Sequence, residues 1–323
     1  MPRVLITGAA GFIGMHTAIR FIQDGWDVIG LDNFNEYYSI DLKKDRCEEI
    51  VKTAKKEGLS FSMYHEDLNS QVWNELMNIN IDAVIHLAAQ AGVRYSIENP
   101  RAYLDSNILG FQSVLDFVKA KKIKKFIYAS SSSVYGKNSE QPFKESQICD
   151  SPESYYAATK KANELMAHSY FKTEKVCSIG LRFFTVYGPW GRPDMAPMLF
   201  MKAAMNNEEI NIFNFGKQKR DFTFIKDIVE SIYQLIIEDE FTACEVLNIG
   251  NGKPIGLERF IDLIEGFAGV KVKRKYVEAQ KGDVTETFAN INLLRKKINY
   301  TPQTEIEDGL ESFVSWYKSY YGF

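Results

Sequence analysis

Tyr156 and Lys160 stand four residues apart in YYAATK (Tyr155 to Lys160), within a stretch whose spacing predicts a helix from Tyr156 to Phe171. Side chains at i and i+4 share one helix face, a turn apart, so an ammonium can lie beside a phenol and lower its pKa. A tyrosine at its ordinary value of about 10 is a poor base at neutral pH, and neighbouring positive charge is what favours the phenolate. Upstream, the run ASSSSVYG (Ala129 to Gly136) follows a β-type segment at Phe126 to Ala129. One of its serines can hydrogen-bond the oxygen on which the tyrosine acts. Each piece alone has a plainer explanation: Tyr-x-x-x-Lys is frequent by chance, a serine run also makes a polar loop, and paired tyrosines also pack half-buried.

Proton removal from an alcohol becomes oxidation when a hydride acceptor lies close, and the N-terminus provides a place for one. A β-type run from Val4 to Ile6 meets the turn GAAGFIG. Helical apolar spacing then runs from Phe12 to Asp24, followed by a second β-type run from Asp27 to Leu31. That order is a β-α-β unit. Gly8, Gly11 and Gly14 follow the strand and open the helix, where missing side chains let backbone amides and the positive helix end approach a pyrophosphate. The glycine pattern by itself is weak, since glycines also mark ordinary turns. Asp32 ends the second run. A carboxylate there accepts hydrogen bonds from both ribose hydroxyls and repels a 2′-phosphate, favouring NAD over NADP, although an Asp capping a surface turn would look the same. Asp67, in HEDLN, is placed to reach the adenine edge.

The surrounding pattern predicts an α/β fold: a Rossmann-type doubly wound parallel sheet with a smaller C-terminal substrate-binding α/β region. Apolar runs at Ala83 to Leu87, Phe126 to Ala129 and Val176 to Leu181 alternate with helical stretches at Tyr103 to Lys119 and Tyr156 to Phe171. Such alternation puts helices on both faces of a parallel sheet. Past about Thr185 shorter segments punctuated by Gly, Pro and Asn suggest a cap on the sheet's carboxyl edge. The expected division is therefore 1–185 for the cofactor and catalytic residues and 186–323 mainly for substrate, with an interleaved boundary. The 323 residues are 45% hydrophobic, enough for a sizeable core, and 39 basic against 42 acidic residues leave a formal charge of -3. That balance offers nothing to nucleic acid or an anionic membrane and points to small-molecule partners. Cys47, Cys149, Cys177 and Cys244 lie far apart without C-x-x-C spacing, against a metal site or disulfide framework. No leader pattern or bilayer-length apolar run is visible, so a soluble cytoplasmic protein is expected.

Taken together, the glycine turn, the acidic second strand, HLAAQ (His86 to Gln90), the serine run and YYAATK resemble the extended short-chain dehydrogenase/reductase family over nearly the whole chain. The resemblance implies Ser131, three residues before V-Y-G, as the catalytic hydroxyl. Tyr156 becomes the proton-transferring phenol, and Lys160 also holds the nicotinamide ribose. It implies a cofactor site of Gly8, Gly11, Phe12, Ile13, Gly14, Asp32, Asn33, Asp67, Leu68, Leu87, Ala88, Ala89, Gln90 and Asn107 with Tyr156 and Lys160, Asn107 supporting the active-site backbone from DSNILG. INIFNFGKQKRDFTFIKDI (Ile210 to Ile228) resembles the segment by which nucleotide-sugar enzymes hold UDP, with Arg220 on the diphosphate and Phe213 near the uracil. A guanidinium fork suits a diphosphate, while a surface hairpin with an exposed arginine reads similarly. Asp283, in KGDVTET, resembles another position near the nucleotide.

Sugar dehydratases and uronate decarboxylases of this type carry an acid directly after the catalytic hydroxyl or one residue later, where this chain has Ser132 and Ser133. The simplest remaining cycle is a 4-epimerisation. AAQAGVRYSIENP, ASSSSVYG and LRFFTVYGPWGRPDMAP (Leu181 to Pro197) most resemble the UDP-glucuronate 4-epimerases, with Thr185 where galactose-type enzymes usually have Asn. Ser132, Ser133, Thr185 and Arg192 are the candidate grip on a sugar carboxylate, and Arg94 is a candidate at the same mouth. The resemblance implies interconversion of UDP-glucuronate and UDP-galacturonate with a resident NAD. It also implies a homodimer through the helices near Tyr103 to Lys119 and Tyr156 to Phe171, and no metal. Rival readings are a UDP-glucose or UDP-N-acetylglucosamine 4-epimerase, a UDP-glucuronate decarboxylase, and a catalytically silent NAD sensor, the last at odds with a complete Ser, Tyr and Lys set.

Overall fold

A computed structural model describes residues 1–137, 140–238, 241–279 and 285–323. Short apolar runs become the strands β1 (Arg3–Thr7), β2 (Asp27–Asp32), β3 (Phe61–His65), β4 (Ala83–His86), β5 (Lys125–Ser131) and β6 (Ser178–Phe183); these are buried on both faces inside the sheet, as parallel sheets require, and half-exposed at the edge strand β3. Beyond these come β7 (Thr185–Tyr187), β8 (Glu209–Ile212), β9 (Lys219–Phe224), β10 (Cys244–Ile249), β11 (Pro254–Gly256), β12 (Lys273–Tyr276) and β13 (Glu286–Thr287). The large sheet runs β10-β6-β5-β4-β1-β2-β3, all parallel. Strand order reverses between β1 and β4, and the crevice outside the carboxyl ends at such a reversal is where open α/β sheets bind ligands.

Helices Phe12–Gln23, Ile40–Glu57 and Ile225–Glu238 cover one face through Met15, Phe21, Ile50, Ile228 and Ile232. Val72–Leu76 and Gly110–Lys121 cover the other through Leu76, Phe111, Val114 and Val118. Pro100–Lys121, expected as one helix around Tyr103 to Lys119, is an α-turn, then a wider π-helical stretch at Leu104–Leu109, then the helix Gly110–Lys121. A π-stretch inside a helix frequently marks a functional position, and this one contains Asn107.

After β6 a third core forms around Tyr187, Met198, Phe222, Phe260, Leu310 and Phe313, between the helices Ala196–Met205, Leu257–Ala268 and Ile306–Tyr321. β9 pairs with β7, β11 and β13, and β8 with β12. The chain then re-enters the large sheet: Ile225–Glu238 packs on Phe12–Gln23, and β10 extends the sheet beside β6. Residues past 185 thus contribute to both parts.

Candidate active site

The glycine turn is fixed by close approach. Gly8 has φ +73, donates its amide to the Leu31 carbonyl at 2.7 Å, and would place a Cβ 2.6 Å from the Ala88 nitrogen. A Cβ on Gly14 would stand 2.0 Å from the Gly8 carbonyl oxygen. Gly11 caps the following helix without a side chain, which leaves first-turn amides directed at a ligand. Gly14→Ala is therefore expected to cost about 1–3 kcal/mol of stability through overpacking against backbone. It should also empty the purified protein of bound nucleotide, read from absorbance and from a thermal scan.

At the end of β2 the Asp32 carboxylate accepts the amides of Ala10 at 3.1 Å and Phe34 at 2.9 Å. Burial raises its pKa, against the lowering effect of those amides and of Lys43 and Arg46. Asn33 donates to Asp67 at 2.8 Å, and Asp67 also accepts the Asn69 amide at 2.9 Å. One cavity is lined by Gly8, Gly11, Phe12, Ile13, Gly14, Asp32, Asn33, Asp67, Leu68 and Leu87 to Gln90, and continues to Ser131, Ser132, Ser133, Tyr156, Lys160, Thr185 and Arg192. Asn107 is not in that lining. It is buried, accepts the Gln90 amide at 2.8 Å and donates to the Gln90 carbonyl at 3.0 Å and to Thr159 at 3.0 Å. It holds the loop after β4 to the helix Tyr155–Glu174.

Ser131 ends β5, where its hydroxyl accepts the Ser133 amide at 3.2 Å and donates to the Ser133 hydroxyl at 3.1 Å. Ser154 caps the helix Tyr155–Glu174 by accepting the Ala157 amide, which sets Tyr156 at the helix start facing the cavity. The Tyr156 phenol is raised above its ordinary value by burial, opposed by a hydrogen bond with Ser131 and by the charge of Arg192. Lys160 donates to the Ala129 carbonyl at 2.9 Å, and burial lowers its pKa to about 7. The charge of Arg192 favours the phenolate.

The lysine's shift has a stability consequence. Between about 7 and 10.5 the unfolded chain binds a proton that the folded one does not, so the penalty of burying Lys160 is full below about 7 and fades as pH rises toward 10.5. Lys160→Met in cofactor-free protein should accordingly raise the melting temperature more at about pH 6 than at about pH 9. Equal shifts at the two pH values in calorimetry would show that Lys160 is not neutralised by burial.

Several residues outside the sequence motifs build the site. Glu164, on the catalytic helix, receives the buried Arg182 through two bonds of 2.8 Å and the Ser130 hydroxyl at 2.7 Å. This locks the helix to the strand that ends in Ser131, and removing one partner of such a buried pair costs about 3–5 kcal/mol. Asp221 accepts the amides of Asn251, Gly252 and Ala289 at 2.7, 2.9 and 3.0 Å, tying β9 to two loops next to Arg220. Arg182 and Glu164 sit on different elements, 18 residues apart, and nothing local marks either residue.

Of the proposed sugar-nucleotide residues, Ser132, Ser133, Thr185 and Arg192 come together with Tyr156. Arg192 is held by Asp194 through bonds of 3.1 and 2.5 Å, and Tyr37 donates to Asp194 at 3.1 Å. Arg94 and Phe213 meet each other, guanidinium over ring at 5.1 Å, outside the cavity lining. Arg220, also outside it, donates to the Lys219 carbonyl at 2.9 Å and the Thr285 carbonyl at 3.2 Å. Asp283 lies outside the described residues.

The sequence model of the NAD dependent epimerase/dehydratase family matches residues 4–250. The chain belongs to that family. It is 41% identical over 336 residues to a probable UDP-glucuronate 4-epimerase of Rhizobium meliloti, covering 99% of this chain and 98% of that protein. It is 45% identical to Protein CapI of Staphylococcus aureus, covering 99% of each. The fold superposes on the Bacillus cereus UDP-glucuronic acid 4-epimerase solved with UDP-glucuronic acid and NAD, with a TM-score of 0.91, 32% identity, and coverage of 99% of this chain and 100% of that one.

The family's cofactor fits the residues present in this epimerase. The glycine turn leaves the first-turn amides of the helix Phe12–Gln23 open to the cavity, whose lining also includes Asp32, Ser131, Tyr156 and Lys160. The cofactor is NAD. Among the described residues no group of His, Cys, Asp and Glu is arranged to hold a metal ion, and no helix is long and apolar enough to cross a membrane.

Proposed function

We propose that this enzyme interconverts UDP-glucuronate and UDP-galacturonate by inverting carbon 4 of the sugar. The observation that carries the reading is the joint position of Ser132, Ser133, Thr185 and Arg192 on the wall that also presents Tyr156 and Ser131. A guanidinium with hydroxyl donors suits a carboxylate, and the places after Ser131 hold no acid to drive elimination. The relatives named as UDP-glucuronate 4-epimerases support the same substrate.

NAD, when bound, supplies the acceptor and later the donor of the hydride at carbon 4. Tyr156 takes the proton of the 4-hydroxyl and returns it after the ring has turned, while Ser131, hydrogen-bonded to the phenol, polarises the same oxygen. Lys160, anchored on Ala129, orients the ribose beside the phenol. The sugar intermediate is a 4-keto uronate, a β-keto acid that loses carbon dioxide when the breaking bond aligns with the ketone. Arg192 and the hydroxyls of Ser132, Ser133 and Thr185 hold the carboxylate away from that alignment.

Arg94 with Phe213, and Arg220, serve the UDP at the outer rim, and Asp283 is a further residue for the nucleotide. The assembly is a cytoplasmic homodimer through the helices Gly110–Lys121 and Tyr155–Glu174, where Leu109, just before the first, and Leu165, on the second, are exposed, and the product serves polysaccharide synthesis. Proton NMR of UDP-glucuronate incubated with the purified protein and no added reductant should show a galacturonate nucleotide. A pentose nucleotide would instead make it a decarboxylase, and reaction of UDP-glucose alone a neutral-sugar epimerase.

A further inference from the structure

Arg46 is a fully buried guanidinium with no carboxylate among its hydrogen-bond partners in the described residues. It sits on the inner face of the helix Ile40–Glu57. Burying a cation is costly unless its donors are satisfied, and here four donations satisfy all but one of its groups. Nη1 donates to the Ala10 carbonyl at 3.1 Å and to the Tyr38 hydroxyl at 2.8 Å. Nη2 donates to the carbonyls of Trp190 at 2.6 Å and Gly191 at 3.1 Å. Only Nε is left buried without a partner.

The acceptors belong to the two ligand-binding segments. Ala10 lies inside the glycine turn, and its own amide donates to Asp32, so this one residue is held at its nitrogen by the Asp32 carboxylate and at its carbonyl oxygen by Arg46. Trp190 and Gly191 immediately precede Arg192. Trp190 has φ +62, a conformation a bulky L-residue rarely adopts without external support, and the captured carbonyls supply that support. A planar fork that spans the Ala10 carbonyl and the Tyr38 hydroxyl on one side and two carbonyls on the other is a task for arginine; an ammonium is a compact point donor.

From this geometry we infer that Arg46 is a positioning residue that fixes the Arg192 loop against the glycine turn, so that the cofactor site and the sugar-carboxylate site are set as one unit. The inference rests on the proposed role of Arg192 in gripping the uronate. Other contacts hold the far side of the loop: His16 bonds the Pro189 carbonyl at 3.0 Å, and the Trp190 ring packs on Trp316 and Tyr320. Loss of Arg46 should therefore displace the loop without unfolding the chain.

The test compares wild type with Arg46→Lys and Arg46→Met as NAD-loaded enzymes, using calorimetric titration with UDP-glucuronate and with UDP alone, alongside thermal scans and the NAD content of each preparation. Misplacing a binding group by about an ångström costs as much as 10²-fold, so UDP-glucuronate affinity is expected to fall about tenfold or more in both variants. UDP affinity should stay unchanged, and less NAD should be retained. Unchanged UDP-glucuronate affinity in Arg46→Met, or equal loss for both ligands, overturns the inference. If the wild type itself binds UDP-glucuronate no better than UDP, the uronate reading fails instead. If neither arginine variant folds, Tyr38→Phe, which removes one acceptor of the fork, decides: a selective weakening of UDP-glucuronate supports the role, and no change refutes it.

Discussion

Tyr156→Phe is expected to lower turnover of UDP-glucuronate about 10³-fold while leaving nucleotide affinity and retained NAD at wild-type levels. A positioned general base or acid contributes roughly 10²–10⁴-fold, and the phenol is the one group at this wall able to take the 4-hydroxyl proton with Ser131 bonded to it. The substitution removes only the oxygen. The ring keeps its edge contact with Tyr103, 6.1 Å between centroids, so no cavity forms and the loss should appear in kcat rather than KM. Burial raises the phenol and Arg192 opposes that rise, so wild-type activity should climb with pH on its acid limb as the phenolate forms. Progress curves by NMR or coupled assay check both statements. A variant retaining more than about a tenth of wild-type turnover would remove Tyr156 from the base role.

The parts of the site legible in the sequence are those whose physics is local. Gly8 to Gly14 act through φ and close backbone approach within one turn, Asp32 through its place at a strand end, and Tyr156 with Lys160 through helical periodicity. The sheet followed from apolar runs for the same reason. What escaped depends on residues brought together from afar. Arg182 and Glu164 make a buried pair only once β6 lies against the catalytic helix. Asp221 matters because three amides from two other loops converge on it, and the β10 segment belongs to the large sheet only by pairing with β6. Lys160 shows the limit most clearly. Its spacing from Tyr156 is visible in the chain, but the lowering of its pKa comes from burial, which no spacing encodes, and a further charge favouring the phenolate arrives from Arg192 in another segment. Asn107 was recognisable as a supporting residue, yet its bonds to the Gln90 backbone place it behind the cofactor wall rather than on it.

Arg192→Met should separate uronate from neutral-sugar chemistry. A hydrogen bond to a charged group contributes about 1.5–3 kcal/mol, equivalent to a rise of roughly 10- to 150-fold in KM for UDP-glucuronate. UDP-glucose, which offers no carboxylate, should be little affected. The substitution has two further effects because of what Arg192 touches. Asp194 loses its bidentate partner and keeps only Tyr37, which frees an acid near the sugar and adds repulsion toward a uronate. Tyr156 loses the cation that offsets its burial, so the acid limb of the pH profile should move to higher pH. With the carboxylate released, the 4-keto acid is free to align its breaking bond with the ketone, and a pentose nucleotide should appear beside the epimer in the NMR time course. Arg192→Lys keeps the charge without the fork and should fall between the two, with the pH limb nearly restored and the uronate preference still reduced. Equal losses on UDP-glucuronate and UDP-glucose, with no pentose, would assign Arg192 to holding its loop rather than to gripping the sugar acid.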